Sequence, residues 1–203
     1  MPTETIGEEK ENSEDIPEVW SNAKIRTFLE ELKEVKTIPV TPGEIAVIET
    51  SKGTIKFEFF PDEAPNHCSC FKRLANAGFY DWTLFHRVAK NFVVQGGDIY
   101  SKNGDPRDAG SGDPGFRLDA EFSYRSHKRG AVSTARQAHD INSANSQFFI
   151  CHAPQPRLNG GYSVFGQVIE GMEVVDEIAE VPVRNTFPDE PVYIKSARVL
   201  REK

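Results

Sequence analysis

The sequence has no long hydrophobic run and no excess of basic residues. Its longest uninterrupted apolar stretches, residues 45–48 and 148–151, are four residues each, whereas a membrane-spanning helix needs about 20. Lysine and arginine total 24 against 31 acidic residues in a chain of 203. A clustered basic face for binding phosphates is therefore not expected. These absences argue against a spanning helix and against a general nucleic-acid binder.

Cysteine is also scarce. Cys68, Cys70 and Cys151 are too few for a disulfide framework in a chain of this length. Cys68 and Cys70 are separated by one residue, so they lack the two-residue spacer of a zinc knuckle or a redox motif. The N-terminus is acidic and polar, without the basic and apolar segments of a signal peptide. We therefore expect a reduced, cytoplasmic protein.

The net charge of −7 is unevenly distributed along the chain. Residues 1–20 contain seven acids and one base, a net charge of −6, which leaves −1 for all the others. With few apolar residues, this segment cannot bury enough surface to fold alone, and we predict a disordered acidic tail. The near-neutral remainder suits recognition of a ligand by shape and hydrogen bonds rather than by charge.

Residues 21–42 are predicted to form an amphipathic helix, at about 21–36, followed by a proline-containing linker. Apolar residues recur at helical spacing from Ile25 to Val35, Ser21 or Asn22 can serve as N-cap, and Pro39 follows the end. The simplest interpretation is that the apolar stripe packs on the following domain. Binding to a partner or to a second copy of the chain is the alternative.

Residues 43–203 are predicted to form one mainly β domain. Apolar and polar residues alternate around Lys52-Gly53, which indicates a β-hairpin of residues 45–50 and 54–60. Two short helices are predicted at 66–77, with Gly78 as its C-terminal cap, and at 172–179. Many short strands favour a closed or nearly closed antiparallel sheet. The further strands are predicted at 85–88, 92–95, 130–135, 147–151, 164–168 and 193–200.

Segments that resemble common cofactor and catalytic motifs lack essential features of those motifs. Residues 110–115 have the glycine spacing of a dinucleotide-binding loop. However, Asp113 would repel a pyrophosphate and Pro114 removes an amide donor, so we predict a surface loop. Residues 161–165 lack the second glycine of a nucleophile elbow. The five histidines are widely spaced, and no metal site is predicted.

One segment is unusually dense in candidate functional residues. Arg87, Phe92 and Gln95 lie within nine residues, and residues 146–149 add a second glutamine and more phenylalanine. If 85–88 is a strand, Phe85 and Arg87 share a face. An arginine on such a face is either a rim residue whose stem covers apolar surface or the polar anchor of an apolar pocket. The pattern alone leaves both interpretations open.

Five sequence blocks resemble, in order and spacing, the signature blocks of the cyclophilin-type peptidyl-prolyl cis-trans isomerases: FHRV at 85–88, FVVQGGD at 92–98, GAVSTAR at 130–136, NSQFFI at 145–150 and YSVFGQV at 162–168. The resemblance runs from about residue 45 to 200, and the short connection at 78–82 is similar to that of bacterial-type members. Residues 1–42 lie outside it as an N-terminal extension. The resemblance implies an eight-stranded antiparallel barrel capped by two helices, with no cofactor and no metal.

The resemblance also implies a function. The chain would catalyse the cis-trans isomerisation of X-Pro peptide bonds and so assist protein folding, with proline-containing peptides and unfolded or folding proteins as partners. Arg87 would be the catalytic arginine, with Phe92 and Gln95 beside it. The implied substrate-binding residues are those of the proline pocket (Phe92, Val93, Phe149, Leu158), those of the peptide groove (Gln95, Ala135, Arg136, Gln137, Gln147) and Tyr162, which closes it.

Departures from the family pattern concern ligand preference. Arg157 stands where cyclosporin-sensitive members carry Trp, and Tyr162 where many carry His, so weak cyclosporin binding is expected. Val93 and the turn at 89–91 are expected to loosen or reshape the proline pocket.

Two hypotheses compete with the enzyme. One is a non-catalytic module that binds proline-containing segments and is recruited through its N-terminal extension. The other is an assembly protein held together by helix 21–36. A pure binder has less need of Arg87, so its presence favours the enzyme. The oligomeric state is left open.

Overall fold

Three α-helices and eleven β-strands make up the regular structure of the computed structural model, which describes residues 17–105 and 107–202. The helices are α1 (Asn22–Lys33), α2 (Pro65–Asn76) and α3 (Met172–Ala179), and short 3-10 helices cover Ile99–Asn103 and Pro156–Leu158. None of the helices in this part of the chain is long and apolar enough to cross a membrane. The strands are β1 (Glu44–Thr50), β2 (Gly53–Phe59), β3 (Thr83–Leu84), β4 (Arg87–Val88), β5 (Val93–Gly96), β6 (Ala131–Thr134), β7 (Phe148–Cys151), β8 (Val164–Glu170), β9 (Val183–Arg184), β10 (Phe187–Pro188) and β11 (Tyr193–Arg201).

Nine of these strands form one antiparallel sheet that curls into a barrel. Their order is β3-β11-β1-β2-β8-β6-β7-β5-β4, with β3 at one edge and β4 at the other. Only Phe85 and His86 separate β3 from β4 along the chain, so the two edges of the sheet meet. Counted as one interrupted strand, β3 and β4 complete the predicted eight-stranded barrel. The small β9–β10 hairpin, which the sequence pattern did not predict, stands beside it.

The barrel interior is filled mainly by aromatic rings. The ring of Phe71 on α2 lies 5.0 Å from that of Phe57, 4.9 Å from that of Tyr80 and 5.4 Å from that of Phe148, measured between centroids. Contacts of this kind each add about 0.5–1.5 kcal/mol to the free energy gained by burying the rings. They fix α2 firmly against the barrel. Val175 and Ile178 of α3 are fully buried as well.

A long loop is tied to the start of α2. The N-cap residue Ala64 has no side chain that could cap the helix. Glu121 does this instead, accepting hydrogen bonds from the backbone N–H groups of Asn66 and His67 at 3.1 and 3.0 Å and lying 2.5 Å from His67 Nδ1. A carboxylate at a helix N-terminus satisfies free N–H groups and complements the helix dipole. The loop that follows β5 is thereby held close to the barrel.

The N-terminal helix packs on the domain, as the simplest interpretation predicted. Ser21 is the N-cap and accepts a hydrogen bond from the backbone N–H of Lys24 at 3.2 Å. On the apolar stripe, Ile25 is fully buried and Leu32 is 4% exposed. The predicted end was wrong: the helix stops at Lys33, and Val35 lies beyond it with 40% of its surface exposed.

The predicted acidic tail falls mostly outside the described residues, which begin at residue 17. Its last residue, Trp20, is not part of a free tail. The Trp20 backbone N–H donates to the carbonyl of Lys102 at 2.9 Å, and its ring lies 5.5 Å from that of Phe28. The tail prediction was wrong at this end because an aromatic ring gains more from packing on the domain than from remaining in water.

Candidate active site

The central candidate residues form a row across neighbouring strands. Arg87 on β4 lies opposite Gln95 on β5, which lies opposite Phe149 on β7. Cross-strand partners project to the same face of a sheet, and so do residues two apart on one strand, such as Val93 and Gln95. Val93 and Phe149 belong to a small apolar cluster separate from the barrel core. The row therefore lies on the outer face of the barrel.

The predicted strand at 85–88 was wrong in one respect. Phe85 and His86 interrupt the strand between β3 and β4, so Phe85 does not share a face with Arg87. The Phe85 ring is fully buried and lies 6.4 Å from that of Phe148 in the core, whereas Arg87 is exposed. The backbone N–H of Phe85 donates to the carbonyl of Val192 at 2.9 Å, which holds this break in place.

An apolar pocket opens on the outer face beside Arg87. Its cavity measures about 230 Å³. Val93 and Phe149 are almost fully buried, and the ring of Tyr162 lies edge-on to that of Phe149 at 5.7 Å. The guanidinium of Arg87 lies 5.5 Å from the centre of the Phe92 ring. The lining residues are Arg87, Phe92, Val93, Gln95, Ala135, Arg136, Phe149, Leu158 and Tyr162.

A second cavity, of about 160 Å³, adjoins the first and shares Gln95, Ala135 and Arg136 with it. Its lining is mostly polar and includes the two remaining candidates, Gln137 and Gln147. The structure thus brings all eleven predicted site residues to one cleft. The other lining residues are Gly110, Ser111, Gly112, Ser143 and Asn145.

A chain of side-chain hydrogen bonds links the two cavities. Arg87 Nη1 donates to Gln95 Oε1 at 3.3 Å, Gln95 Nε2 donates to Gln147 Oε1 at 3.1 Å, and Gln147 Nε2 donates to the carbonyl of Gly110 at 3.2 Å. Each amide uses its oxygen as acceptor and its nitrogen as donor in the same direction. Arg87 is therefore oriented by neighbours that are themselves fixed, and it lines the apolar pocket.

The loop at 110–112 is a part of the cleft that the sequence interpretation missed. It is a loop rather than a dinucleotide site, as predicted, but it lines the second cavity. The buried carboxylate of Asp98 holds it by accepting hydrogen bonds from the N–H groups of Gly110 and Gly112 at 2.7 and 2.9 Å. Gly110 has φ +91°, a conformation that favours glycine. No local pattern signals this contact, because Asp98 belongs to an earlier segment of the chain.

His127 is a second residue that the sequence interpretation missed. Its ring stacks on that of Phe149 at 5.9 Å with an interplanar angle of 20°, and its Nε2 lies 3.1 Å from Ser133 Oγ. Asn159 Oδ1 accepts a hydrogen bond from the His127 backbone N–H at 2.8 Å. Burial lowers the pKa of His127, which favours the neutral ring. His127 thus packs against the Phe149 ring and helps to fix its position.

The cleft offers apolar contacts and hydrogen-bond donors. Neither cavity is lined by a carboxylate. Cys151, which lies in the outer apolar cluster, is a buried thiol whose pKa is raised by burial to about 12, so a thiolate is disfavoured there at neutral pH. Within residues 17–105 and 107–202, no three His, Cys, Asp or Glu side chains converge as a metal ion would require. This geometry suits binding an apolar ring and orienting the amide next to it.

Comparison with known proteins agrees with this geometry. Residues 45–199 match the family model described as cyclophilin type peptidyl-prolyl cis-trans isomerase/CLD. A peptidyl-prolyl cis-trans isomerase of Synechococcus elongatus is 43% identical over 122 residues, which cover 60% of this chain and 78% of the relative. One from Arabidopsis thaliana is 36% identical over 166 residues, 80% of this chain and 94% of the relative.

Solved structures show the same fold. A cyclophilin-type isomerase of Cryptosporidium parvum, crystallised in the presence of the dipeptide Ala-Pro, superposes with a TM-score of 0.68 at 31% identity, over 78% of this chain and 99% of that one. A cyclophilin of Hirschia baltica, at 24% identity, shares the fold with a TM-score of 0.65 over 88% of this chain and 80% of that one. The chain belongs to the cyclophilin-type peptidyl-prolyl cis-trans isomerases.

Proposed function

We propose that the cleft isomerises X-Pro bonds by holding the proline ring in the apolar pocket while Arg87 stabilises the twisted amide. In this proposal Phe92, Val93, Phe149 and Leu158 hold the ring, and Tyr162 closes the pocket. Gln95, Ala135, Arg136, Gln137 and Gln147 hold the backbone that flanks the proline. The observation that carries the proposal is the position of Arg87, whose guanidinium lines an apolar cavity of about 230 Å³ and is oriented by Gln95.

The chemistry requires neither a nucleophile nor a general acid. Rotation about an X-Pro bond breaks amide resonance against a barrier of about 18–20 kcal/mol, and no covalent bond is cleaved. As the amide twists, the prolyl nitrogen becomes pyramidal and gains a lone pair. A donor aimed at this nitrogen binds the transition state more tightly than the planar ground state. Arginine suits this role because it stays charged and presents several fixed donors.

The hydrogen bond from Arg87 accounts for only part of the expected acceleration. A hydrogen bond to a charged group contributes roughly 1.5–3 kcal/mol, which is about one to two powers of ten in rate. The remainder must come from fixing the geometry. If the pocket holds the ring and the groove holds the flanking carbonyls, only the intervening amide is free to turn.

Exchange NMR on an acetylated, amidated peptide containing Ala-Pro tests this proposal. We expect Arg87→Ala to lower kcat/KM about 10- to 100-fold, in line with the loss of one charge-assisted hydrogen bond. Arg26→Ala is the matched control, since Arg26 is exposed on α1 and lines neither cavity, and should keep the wild-type rate. An unchanged rate in Arg87→Ala would refute the assignment.

We also propose proline-containing peptides and folding proteins as the partners of this chain. The Cryptosporidium relative was crystallised with Ala-Pro, and the size of the pocket here supports the same class of ligand. Titration of Ala-Pro should shift the NMR resonances of Phe149 and Val93 and leave those of the barrel core unchanged. Ala-Gly is the control dipeptide. Equal shifts with both dipeptides would contradict recognition of proline.

Weak cyclosporin binding is proposed as well. Arg157 lies exposed on the short helix Pro156–Leu158 beside the pocket residue Leu158, where sensitive members carry Trp. Without an indole at this rim, a large apolar ligand loses contact area and a hydrogen-bond donor. Isothermal titration calorimetry should detect weak binding at most in the wild-type chain and tighter binding in Arg157→Trp. A tight wild-type complex would refute this expectation.

A cytoplasmic location is the last part of the proposal. Cys68, Cys70 and Cys151 are buried free thiols, which suits a compartment that keeps cysteine reduced. Fractionation of cells that express the chain would place it, and recovery outside the cytoplasm would contradict the proposal.

A further inference from the structure

Arg136 is held in the cleft without a carboxylate partner. Its Nε donates to the carbonyl of Gly161 at 2.8 Å, and its Nη1 donates to the carbonyls of Gln137 and Ala138 at 2.8 and 3.2 Å. The guanidinium lies 4.6 Å from the centre of the Tyr162 ring. Three carbonyls and one ring therefore fix its orientation, while its positive charge is not neutralised by an acid within the described residues.

Six other arginines of the described residues form ion pairs with carboxylates, whereas Arg87 and Arg136 form none within residues 17–105 and 107–202. Four further arginines are also unpaired there, but they line neither cavity: Arg26, Arg73, Arg157 and Arg201. No residue that lines either cavity is acidic. The cleft thus carries two positive charges and no negative one, in a protein of net charge −7. The six pairs are Arg107–Asp105, Arg117–Asp140, Arg125–Glu63, Arg129–Asp176, Arg184–Asp189 and Arg198–Asp81.

The position of Arg136 relates this charge to the substrate. Arg136 lines the proline pocket and the adjoining polar cavity alike. Its Nη2 donates to no group of the described residues, so two N–H bonds of an oriented guanidinium remain for a ligand. An extended peptide advances about 3.3–3.6 Å per residue, so a residue within two positions of the bound proline would reach the second cavity. Arginine is well suited to binding a carboxylate in such a place.

We propose that the cleft prefers proline-containing segments with an aspartate or glutamate within two residues of the proline, and that Arg136 selects this acidic side chain. The inference rests on the proposed function, since it assigns the same two cavities to the peptide. It also replaces the expectation that the near-neutral body recognises its ligand without charge: the charges balance over the whole domain but not within the cleft.

A set of paired peptides tests the proposal. Each is acetylated and amidated, contains Ala-Pro, and carries either Glu or Gln at the second position before or after the proline. Exchange NMR with the full chain gives kcat/KM for each peptide. We expect a Glu-to-Gln ratio of about three to ten at one of these positions, the size of one partly exposed charge-assisted hydrogen bond. The ratio should fall towards one in 0.5 M KCl, because salt screens the attraction.

Variants identify the residue responsible. Arg136→Gln should bring the Glu-to-Gln ratio to about one, whatever its effect on the neutral peptide, and Arg136→Lys should keep part of the preference. Arg26→Gln, at an exposed arginine of α1 that lines neither cavity, should keep the wild-type ratio. A ratio of one in the wild type, with normal turnover of the Gln peptides, would overturn this inference and leave the proposed function standing. Preference that survives Arg136→Gln would overturn the role of Arg136, and no turnover of any peptide would overturn the proposed function itself.

Discussion

Strands β5, β6 and β7 carry two apolar faces, one that is fully covered and one that is only partly covered. Alternate residues of β5, β6 and β7 face the barrel core, where the rings of α2 and the surrounding strands cover them completely. The residues between them face outward into a smaller cluster, whose outer layer consists of partly buried loop residues. An incomplete cover leaves a pocket, and this pocket is the candidate active site. The inner set is Val94, Val132, Phe148 and Ile150, the outer set Val93, Ala131, Phe149 and Cys151, and the outer cover Phe92, Ala135, Leu158 and Tyr162.

Burial alone does not distinguish the two faces. Phe148 is 2% and Phe149 4% exposed, yet their surroundings differ. Phe148 contacts the rings of Phe71 and Tyr80 at 5.4 and 5.6 Å within a closed core. The Phe149 ring stacks on that of His127 and lies edge-on to that of Tyr162, and it borders a cavity. Neighbouring residues of one strand can thus serve stability and function separately.

Truncation of these two neighbouring side chains should have the largest effects. We expect Phe148→Ala to lower the free energy of unfolding by about 3–5 kcal/mol, because it opens a cavity in a core that is closed on all sides. Phe149→Ala should cost less stability, since the site already borders a cavity, and should lower kcat/KM more in the folded protein. Urea unfolding and exchange NMR measure the two quantities.

Phe149→Leu is the control for this pair, because it keeps most of the apolar volume and should recover part of the stability and activity. Two equally destabilised variants, with Phe149→Ala as active as the wild type, would show that the outer face is merely a second core.

The sequence could not predict which of these apolar residues face the core and which face outward. Residues 148–151 are all apolar and all buried, so the run has no polar residue to mark an inside or an outside. The blocks that resemble the family nevertheless placed all eleven site residues in one cleft, because the period-two rule and the register bring Arg87, Gln95 and Phe149 to one face. The break at Phe85 was missed because Phe-His-Arg-Val contains no glycine or proline that would mark an interruption. The role of the loop at Gly110 was missed because its partner Asp98 lies in an earlier segment of the chain.

Acidification should lower the free energy of unfolding through buried histidines near both faces. Burial lowers the pKa of His67, in the first turn of α2, of His86, which precedes Arg87, and of His127, which packs on Phe149. The folded protein therefore keeps these rings neutral at a pH where the unfolded chain, with an ordinary pKa of 6.5, takes up protons. The free energy of unfolding is therefore not reduced by these histidines well above pH 6.5. It falls as the pH drops through 6.5, by at most about 1.4 kcal/mol per pH unit for each proton taken up.

Urea unfolding at pH 7.5, 6.5 and 5.5 measures this dependence. His127→Gln should make it shallower, because one fewer proton is bound on unfolding, whereas the exposed His139→Gln should leave it unchanged. Burial acts to raise the pKa of Glu121, but its hydrogen bonds from His67 and the start of α2 lower it overall. Glu121 therefore adds a further loss of stability only below about pH 4.5, its ordinary pKa. Stability that stays constant or rises from pH 7.5 to 5.5 would contradict the account.

A smaller effect is expected at the N-terminal segment. Trp20 extends the cover of the closed side: its ring contacts Phe28 of α1 and lies 4.2 Å from the Nζ of Lys102, a buried ammonium whose pKa burial lowers to about 8. Trp20 is partly exposed and lines neither cavity of the cleft. We expect Trp20→Ala to lower the free energy of unfolding by about 1–2 kcal/mol, less than a fully buried ring, and to leave kcat/KM unchanged.

Val19→Ala is the matched control, because Val19 precedes Trp20 but is 66% exposed and should alter neither quantity. Urea unfolding and exchange NMR on the three proteins decide the matter. If Trp20→Ala instead lowered kcat/KM severalfold at unchanged stability, the N-terminal segment would act on the cleft, and the separation between a closed side for stability and an open side for catalysis would fail. If only the free energy of unfolding falls, that separation also holds for the segment that precedes the cyclophilin-type domain.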